Sequence, residues 1–393
     1  MHDVISSIEF QMSLLLFVSL AGYLLASRIG QPAVVGTILV GLIIGPSFLG
    51  LITYTDFVSS VAHLGAIILL FVVGLEFKLR DIVDIRYGVI GLFGVLVPWC
   101  GGYFLAQWFG FETQRALLIG VALTATSIAI TADTLREMGK LQSAAAKAII
   151  GAAVIDDILA LLALSITNQL AAGALSFGVI SVALLKAIAF LVIGAVVGLS
   201  VLTRLVIWID ASALARRYPE FVFVVAIMVA FLYALIAELL GLSAIVGAFI
   251  AGVSLEGVNL KFSRNFREGA EYLRIVFGAI FFVSLGVLAD VNALSSSVIT
   301  FVLVLTLVAI VTKVLGCGIP ARLQGMNLRD SLIVGFGMAP RGEVAMVIAL
   351  IGLNQGLIEQ PSYVALVMMS LLTAMVTPLI FRNWLYKNAP HIT

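Results

Sequence analysis

Two adjacent acidic residues, Asp156 and Asp157, lie in the middle of an apolar stretch, residues 144–168, that is long enough to cross a bilayer. A charged side chain at the bilayer centre costs roughly 2.5–3.5 kcal/mol, so intramembrane carboxylates usually have a function. Successive helical positions differ by about 100°, which puts the two side chains on neighbouring faces. A desolvated carboxylate can hold either a proton or a small cation. The acidic pair is therefore our first candidate for a binding site.

Lys313 lies deep in a second apolar stretch, residues 298–322. A cation is needed if both carboxylates are to ionise in a low-dielectric setting, and Lys313 is the natural partner for one of them. We expect this ion pair to break when a cation enters, after which Lys313 can lose its proton. Re-forming the pair would expel the cation. Such a site predicts cation/proton exchange, and extra proton movement per cation would make the exchange electrogenic.

Two further apolar stretches carry residues that do not favour a continuous helix. Residues 115–137 include the polar, β-branched run 124–131, whose Thr126 and Ser127 hydroxyls could coordinate a small cation together with nearby carbonyls. Irregular backbone at membrane depth is tolerated only where it lines a cavity or is buried in protein. We therefore predict an interrupted helix at 124–131 that supports the site of the two aspartates.

Residues 328–353 carry the second interruption, because Pro340 lacks a backbone donor and glycines surround it. Arg341 and Glu343 follow directly. They pair either with each other or with the ends of the half-helices, and we list both as supporting residues. Paired interruptions in corresponding segments of a transporter are the best sequence indication of its binding site.

The composition of the whole chain explains why these few charges matter. Of 393 residues, 62% are hydrophobic and 11% are charged, the formal net charge is +1, and the mean hydropathy is +1.19. A water-soluble domain is near a quarter charged, so this composition excludes a soluble enzyme, a nucleic-acid binder and a disordered chain. Cys100 and Cys317 are too few for a disulfide framework. The chain is predicted to be an all-α polytopic membrane protein.

Thirteen apolar segments are predicted, and their continuous rather than alternating pattern favours helices over a β-barrel. They cover residues 8–26, 33–51, 61–77, 88–110, 115–137, 144–168, 178–208, 219–238, 242–257, 272–290, 298–322, 328–353 and 363–385. Lys and Arg follow the odd-numbered segments, and among the loops of the opposite side only Arg115 is basic. By the positive-inside rule, the N-terminus lies outside and the C-terminus is cytoplasmic.

An internal repeat relates the two halves of the chain. Three short matches occur in order at spacings of 211, 213 and 215 residues: Val35–Gly41 with Val246–Gly252, Gly65–Ile67 with Gly278–Ile280, and Ala116–Gly120 with Ser331–Gly335. The second segment thus matches the ninth, seven segments later, and an odd number of crossings inverts the topology. Inverted repeats are typical of secondary transporters, whose sites lie near the bilayer midplane.

The motifs together resemble the monovalent cation:proton antiporter-2 family, and especially the NapA-type bacterial sodium/proton antiporters. The resemblance covers essentially the whole chain. It rests on Gly151–Asp157 (GAAVIDD), Thr124–Ala132 (TATSIAITA), Thr312–Gly316 (TKVLG), Gly337–Val344 (GMAPRGEV), Gln31–Pro32 and Val73–Glu76. Kef-like potassium efflux relatives typically carry Gln-Asp in place of Asp-Asp and a C-terminal nucleotide-binding domain, and this sequence departs from them on both points.

The resemblance implies an NhaA-like fold of about thirteen helices with inverted repeats and two crossed, discontinuous helices. Residues 1–87 and 178–290 would form a dimerisation scaffold, and 88–168 and 298–385 a six-helix core that moves as an elevator. Asp157 looks like the main carrier of cation and proton, and Asp156 like the partner of Lys313. The family implies electrogenic exchange of Na⁺ or Li⁺ for H⁺ by a homodimer in a bacterial or archaeal cell membrane, with lipid as neighbour and no cofactor. A potassium/proton antiporter of the Kef-like branch is the alternative.

Two enzyme classes and two other transport classes fit less well. An intramembrane aspartyl protease needs its aspartates on two helices, and a prenyl-group enzyme needs Asp-Asp-x-x-Asp, whereas here Asp-Asp is followed by Ile-Leu-Ala. A bile-acid-type symporter would not need the two aspartates and the lysine, and a passive channel would not require proton-coupled exchange. We therefore expect a transporter and not an enzyme.

Overall fold

The computed structural model describes residues 7–82, 84–171, 177–258, 260, 266–289, 296–354 and 356–387. These residues form helices and connecting segments, with no strand among them. In chain order the helices are α1 (Ile8–Arg28), α2 (Ala33–Ile44), α3 (Asp56–Gly74), α4 (Leu79–Ile82), α5 (Ile85–Trp108), α6 (Thr113–Ala122), α7 (Ile128–Glu137), α8 (Ala144–Ala171), α9 (Phe177–Val197), α10 (Thr203–Asp210), α11 (Ala213–Arg217), α12 (Phe221–Leu239), α13 (Ala244–Leu255), α14 (Phe266–Leu273), α15 (Ala279–Val287), α16 (Ser296–Leu323), α17 (Leu328–Gly337), α18 (Glu343–Asn354) and α19 (Gln360–Ile380).

Eight helical stretches of the described residues are long and apolar enough to cross a membrane. They are Ile8–Arg28, Asp56–Gly74, Ile85–Trp108, Gly178–Asp210, Phe221–Leu239, Phe266–Val287, Val298–Leu323 and Gln360–Leu385. Two shorter apolar helices, Ala33–Ile44 and Ala244–Leu255, lie in the second and ninth predicted segments. The long stretches Gly178–Asp210, Phe266–Val287 and Gln360–Leu385 each contain a π-helical turn.

Local sequence explains where helices begin and end. The third segment was predicted from residue 61, but α3 begins at Asp56, where the Thr55 hydroxyl accepts a hydrogen bond from the Val58 amide at 3.4 Å. The second segment was predicted to reach residue 51, but α2 ends at Ile44. Gly45 precedes Pro46 and has extended backbone, as expected because a proline disfavours the helical conformation of the residue before it.

The described parts of the chain pack as two units. One comprises Met1–Ser59, Asp84–Ser176 and Phe282–Thr393, and the other comprises Ser60–Val83 and Phe177–Phe281. This grouping follows packing within the chain, so the division into a scaffold and a core stays a prediction. Both aspartates, Lys313 and both interrupted segments belong to the first unit.

Glycines allow two helix crossings, one in each unit, that are built alike. In the first unit, a side chain on Gly41 of α2 would collide with the Val283 carbonyl of α15, and one on Gly286 with the Ile38 carbonyl. In the second unit, Gly252 of α13 and Gly74 of α3 meet the carbonyls of Phe71 and Phe249 in the same way. Helices without a Cβ at the crossing approach to backbone contact. Gly41 and Gly252 are the glycines that end the first sequence match.

The connection between α1 and α2 is tied to two distant parts of the same unit. The Ala33 amide, at the first turn of α2, donates to Glu137 Oε2 at the end of α7 at 2.9 Å. The Gln31 and Asn383 side-chain amides exchange two hydrogen bonds of 3.2 Å, and Arg382 Nε donates to the Gly30 carbonyl at 3.1 Å. Residues 30–33, which we call the α1–α2 clasp, thus hold the start of α2 to α7 and to the turn that follows α19.

Candidate functional site

A buried ion pair joins two of the three residues that the sequence singled out. Lys313 Nζ of α16 lies 2.6 Å from Asp156 Oδ1 of α8, and both side chains are fully buried, with 0% exposure. The attraction between two charges is strong in a low-dielectric interior, but each charge also loses its hydration, so a buried pair contributes little net stability. The pair is therefore weak evidence for a purely structural role.

The ion pair rests against helix α5 at a position that has no side chain. A Cβ built on Gly94 would lie 2.7 Å from Cys317 Sγ, 3.3 Å from Asp156 Oδ1 and 3.6 Å from Lys313 Nζ. The sequence did not single out Gly94, and Cys317 was considered only in excluding a disulfide framework. The spacing of Lys313 and Cys317, four residues apart on one helix, is the signal that could have placed the thiol beside the lysine.

Asp156 has unused capacity to bind. Its Oδ2 is buried and has no hydrogen-bond partner among the described residues, and its carboxylate also interacts with the Thr126 hydroxyl. Asp157 follows on the neighbouring helical face and is 5% exposed. The described residues contain no group of three or more His, Cys, Asp or Glu arranged for a metal.

Both segments are interrupted and the two breaks contact each other, but the first break is shorter than predicted, because residues 128–131 already form the first turn of α7. Residues 123–127 separate α6 from α7, and residues 338–342 separate α17 from α18. The Ser127 amide donates to the Pro340 carbonyl at 2.9 Å, a bond between the two non-helical segments. The Thr126 hydroxyl donates to the Met338 carbonyl at 3.3 Å.

Arg341 binds the carbonyl end of a half-helix, one of the two roles that the sequence left open. Its side chain is fully buried, and Nη1 donates to the carbonyls of Ala339 at 2.5 Å and Met338 at 3.3 Å, just beyond the end of α17. Nη2 donates to the Ala309 carbonyl of α16 at 3.2 Å. Glu343 is the first residue of α18, and its side chain lies outside the described part of the structure.

Threonines complete the end of α17. The hydroxyls of Thr131 and Thr377 donate to the carbonyls of Gly337 at 2.6 Å and Phe336 at 2.9 Å. Thr377 was not predicted, and Thr131 was noted only as part of a polar run. The last carbonyls of a helix carry a partial negative charge, and these donors balance it.

Ser127, like Arg341 with its Nε, contributes a buried polar atom that has no hydrogen-bond partner among the described residues. Its Oγ is buried and has no hydrogen bond to any described residue, at the position that precedes the first turn of α7. A side chain on Gly342 would come within 2.6 Å of this oxygen, so the glycine keeps the space beside it open. Of the predicted hydroxyls, Thr126 lies beside Asp156, and Ser127 is available for a ligand.

Comparisons with known proteins agree with this arrangement. A family model described as "Sodium/hydrogen exchanger, transmembrane" matches residues 14–387. The chain is 34% identical to the Na(+)/H(+)-K(+) antiporter GerN of Bacillus cereus over 94% of each chain, and 31% identical to a Na(+)/H(+) antiporter of Enterococcus hirae over 95% of this chain and 97% of the relative. The structure of the sodium proton antiporter MjNhaP1 from Methanocaldococcus jannaschii superimposes with a TM-score of 0.70 at 16% identity, covering 96% of this chain and 97% of that one.

These similarities confirm the resemblance predicted from the motifs. The match at low identity to the Methanocaldococcus structure is a match of fold. The family consists of membrane transporters, so the expectation of a transporter rather than an enzyme is confirmed, and the chain is a multi-pass membrane protein.

Proposed function

The chain belongs to the sodium/hydrogen exchanger family, and from that premise we propose that it exchanges Na⁺ or Li⁺ for H⁺ across a membrane. The observation that carries the proposal is the fully buried pair of Lys313 and Asp156, with Asp157 at the next position of the same helix. The names of the relatives, which are Na(+)/H(+) antiporters, support the same activity.

Competition between two ligands for one site couples the two fluxes. Asp157 takes a proton when no cation is present, and a dehydrated Na⁺ replaces that proton with Ser127 Oγ as a further ligand. Entry of the cation draws Asp156 away from Lys313, and the unpaired Lys313 ammonium then releases its proton and becomes neutral; it takes up a proton again before the ion pair re-forms. When the ion pair re-forms, the cation loses one of its ligands and leaves.

The charge on Lys313 makes the cycle electrogenic. If the carboxylates and the lysine together release more than one proton for each Na⁺, every turnover moves net charge across the membrane. One charge is worth about 2.3 kcal/mol per 100 mV, which drives export of Na⁺ against its gradient.

The finer architecture belongs to the same proposal. Thirteen crossings are supported by the eight long helices, the two short apolar helices, α8 and the two interrupted segments. The similar glycine crossings of the two units support the inverted repeat. We propose an NhaA-like elevator, with 88–168 and 298–385 moving against a dimeric scaffold of 1–87 and 178–290. The N-terminus lies outside and the C-terminus in the cytoplasm of a bacterial or archaeal cell.

Exchange by the purified protein in proteoliposomes with an internal pH dye tests the proposal. Adding Na⁺ or Li⁺ to a preformed pH gradient is expected to dissipate it, and Asp157→Asn is expected to abolish the response. Asp210→Asn, at a buried aspartate of α10 in the other packing unit, is the matched control and keeps full exchange. Full exchange by Asp157→Asn would show that the carrier is another group.

A second measurement isolates Lys313. Lys313→Gln keeps a hydrogen-bond donor near Asp156 but removes the titrating charge. We expect Na⁺-driven charge movement on a solid-supported membrane to fall at least tenfold, while Na⁺ still binds. Undiminished charge movement by this variant contradicts the role proposed for Lys313.

The second candidate function is exchange of K⁺ for H⁺. It is suggested by the name of the Bacillus relative, which includes K⁺. The same assay decides between the two. We expect K⁺ to dissipate the pH gradient weakly. A response to K⁺ as strong as that to Na⁺ would make the chain a potassium/proton antiporter of the Kef-like type.

A further inference from the structure

A cleft of about 410 Å³ opens in the second packing unit, which does not contain the two aspartates, at the ends of α3 and α13 and beside the junction of α9 and α10. These ends belong to the side of the chain that is rich in Lys and Arg. The residues that matter for its chemistry are Lys78, Arg80, Leu199, Thr203, Val253 and Glu256. The proposed exchange uses none of them.

A π-helical turn, Gly198–Leu202, shapes the floor of the cleft. Gly198 lies against the Ser254 side chain, where no Cβ could fit. The Thr203 hydroxyl donates to the Ser254 carbonyl at 2.7 Å, and the Ser254 hydroxyl donates to the Ile250 carbonyl at 2.7 Å. The hydroxyls of the floor therefore bond to the protein itself, and the floor presents mainly apolar atoms to a ligand.

The rim of the cleft carries the charge. Lys78 and Arg80 are exposed, and Glu256 is half-buried. Among the lining residues that the structure describes, two positive charges and one negative charge leave a net charge of +1, which complements a single phosphodiester. Basic side chains on the cytoplasmic face are attracted to anionic lipid headgroups.

An apolar track on α9 leads into the cleft. Val192 and Val196, four residues apart on α9, share one helical face, and Leu199 follows them in the π-helical turn. They are 57%, 60% and 45% exposed, and Leu199 also lines the cleft. A ligand that fits both the rim and the track has an anionic head and a long apolar chain.

We propose that this cleft binds an anionic phospholipid, with its phosphate between Lys78 and Arg80 and one acyl chain along Val192, Val196 and Leu199. Glu256 accepts a hydrogen bond from a headgroup hydroxyl, which favours phosphatidylglycerol over a headgroup with a second negative charge. The lipid joins the ends of α3 and α13 to α9 and stabilises this unit.

Thermal unfolding of the purified full-length protein in neutral detergent tests the site without any transport measurement. We expect dioleoyl phosphatidylglycerol to raise the midpoint by several degrees, and dioleoyl phosphatidylcholine or inorganic phosphate to leave it unchanged. In Lys78→Gln/Arg80→Gln, the increment from phosphatidylglycerol is lost, whereas the midpoint in phosphatidylcholine stays at the wild-type value.

The matched control is Arg216→Gln/Arg217→Gln, which removes two exposed basic side chains from the same unit and from the same predicted side. We expect this control variant to keep the full rise in unfolding midpoint that phosphatidylglycerol produces. By native mass spectrometry, the affinity for phosphatidylglycerol falls roughly 30-fold in Lys78→Gln/Arg80→Gln, because each basic side chain near an anionic headgroup contributes about a factor of five.

Three results overturn the proposal. Equal loss of the increment in both double variants would reduce the effect to general surface charge. Stabilisation by phosphatidylcholine equal to that by phosphatidylglycerol would show that the cleft does not recognise the headgroup. Stabilisation by inorganic phosphate alone would show that the ligand is not a lipid. Because no readout depends on Na⁺ or H⁺, failure here leaves the proposed exchange untouched, and failure of exchange leaves this site untouched.

Discussion

The two interrupted segments match each other in sequence but differ in what their breaks contain. The spacing of 215 residues that relates Ala116–Gly120 to Ser331–Gly335 also relates Thr126 to Arg341. In the later break, Arg341 places a permanent cation against the carbonyls of Met338 and Ala339. The earlier break has a hydroxyl at the corresponding position.

The donors around the two half-helix ends differ accordingly. Four carbonyls in a row at the end of α17, from Phe336 to Ala339, accept hydrogen bonds from Thr377, Thr131, Thr126 and Arg341. At the end of α6, the Val121 carbonyl accepts from the nearby Thr124 hydroxyl at 2.7 Å. The later break has its charge built in, and the earlier one leaves the Ser127 oxygen for a ligand. This contrast agrees with the proposal that the exchangeable cation binds beside α7.

Replacing Arg341 and Thr126, which occupy equivalent positions, should give the largest difference in stability between two variants. Arg341→Ala leaves buried carbonyls without their charged donor and opens a cavity, so we expect a loss of roughly 3–5 kcal/mol of stability. Thr126→Val removes one uncharged hydroxyl, which donates to the Met338 carbonyl and lies beside Asp156, and should cost about 1 kcal/mol. Chemical unfolding in detergent measures both.

Arg341→Lys sharpens this test, since it keeps the charge but loses the planar fork that reaches three carbonyls. It should fall between wild type and Arg341→Ala. If Thr126→Val and Arg341→Ala cost the same, the contrast between a built-in and an exchangeable cation is wrong.

Ser127→Ala should affect transport and leave stability unchanged. Its hydroxyl has no partner among the described residues, so its removal breaks no hydrogen bond of the protein. We expect the half-saturating Na⁺ concentration to rise roughly tenfold, which corresponds to the loss of a ligand worth about 1.4 kcal/mol.

Ser370→Ala is the control, because that buried hydroxyl donates to the Leu366 carbonyl of its own helix at 2.9 Å. It should not change Na⁺ dependence. An unchanged Na⁺ dependence in Ser127→Ala would remove this hydroxyl from the cation site.

The smallest effect is expected from the threonines of α7. Thr131→Val removes a donor to α17, and we expect a loss of about 1 kcal/mol. Thr134→Val removes a hydroxyl that donates to the Ile130 carbonyl of its own helix at 2.7 Å, and it should be nearly neutral. Equal melting temperatures for the two variants would mean that Thr131 does not help to hold the breaks together.

Much of the site could be predicted from the sequence because burying a charge is energetically costly. For that reason Asp156, Asp157 and Lys313 stood out among a few intramembrane charges, and the structure brings Asp156 and Lys313 into contact. Pro340 and the hydroxyl run predicted where the helices break. These features depend on local chemistry and on the membrane, and both can be inferred from a single chain.

What the sequence did not reveal depends on the packing between helices. The role of Gly94 follows only from the approach of α5 to Cys317 and Asp156. The direction of the Arg341 side chain, towards carbonyls of α16 and α17, was one of two open alternatives. In the sequence, Lys78 and Arg80 contributed only to the predicted orientation of the chain. The structure places them beside a cleft that the turn at Gly198–Leu202 also lines.

The α1–α2 clasp has a consequence for the speed of transport. Its hydrogen bonds join residues 30–33 of the predicted scaffold to Glu137, Arg382 and Asn383 of the predicted core. If the proposed elevator movement separates these parts, it has to break these bonds in every cycle, at a cost of about 0.5–1.5 kcal/mol each. Under that proposal the clasp slows turnover. Glu137→Ala removes the hydrogen bond from the Ala33 amide. We expect faster exchange at saturating Na⁺ together with a less stable resting conformation.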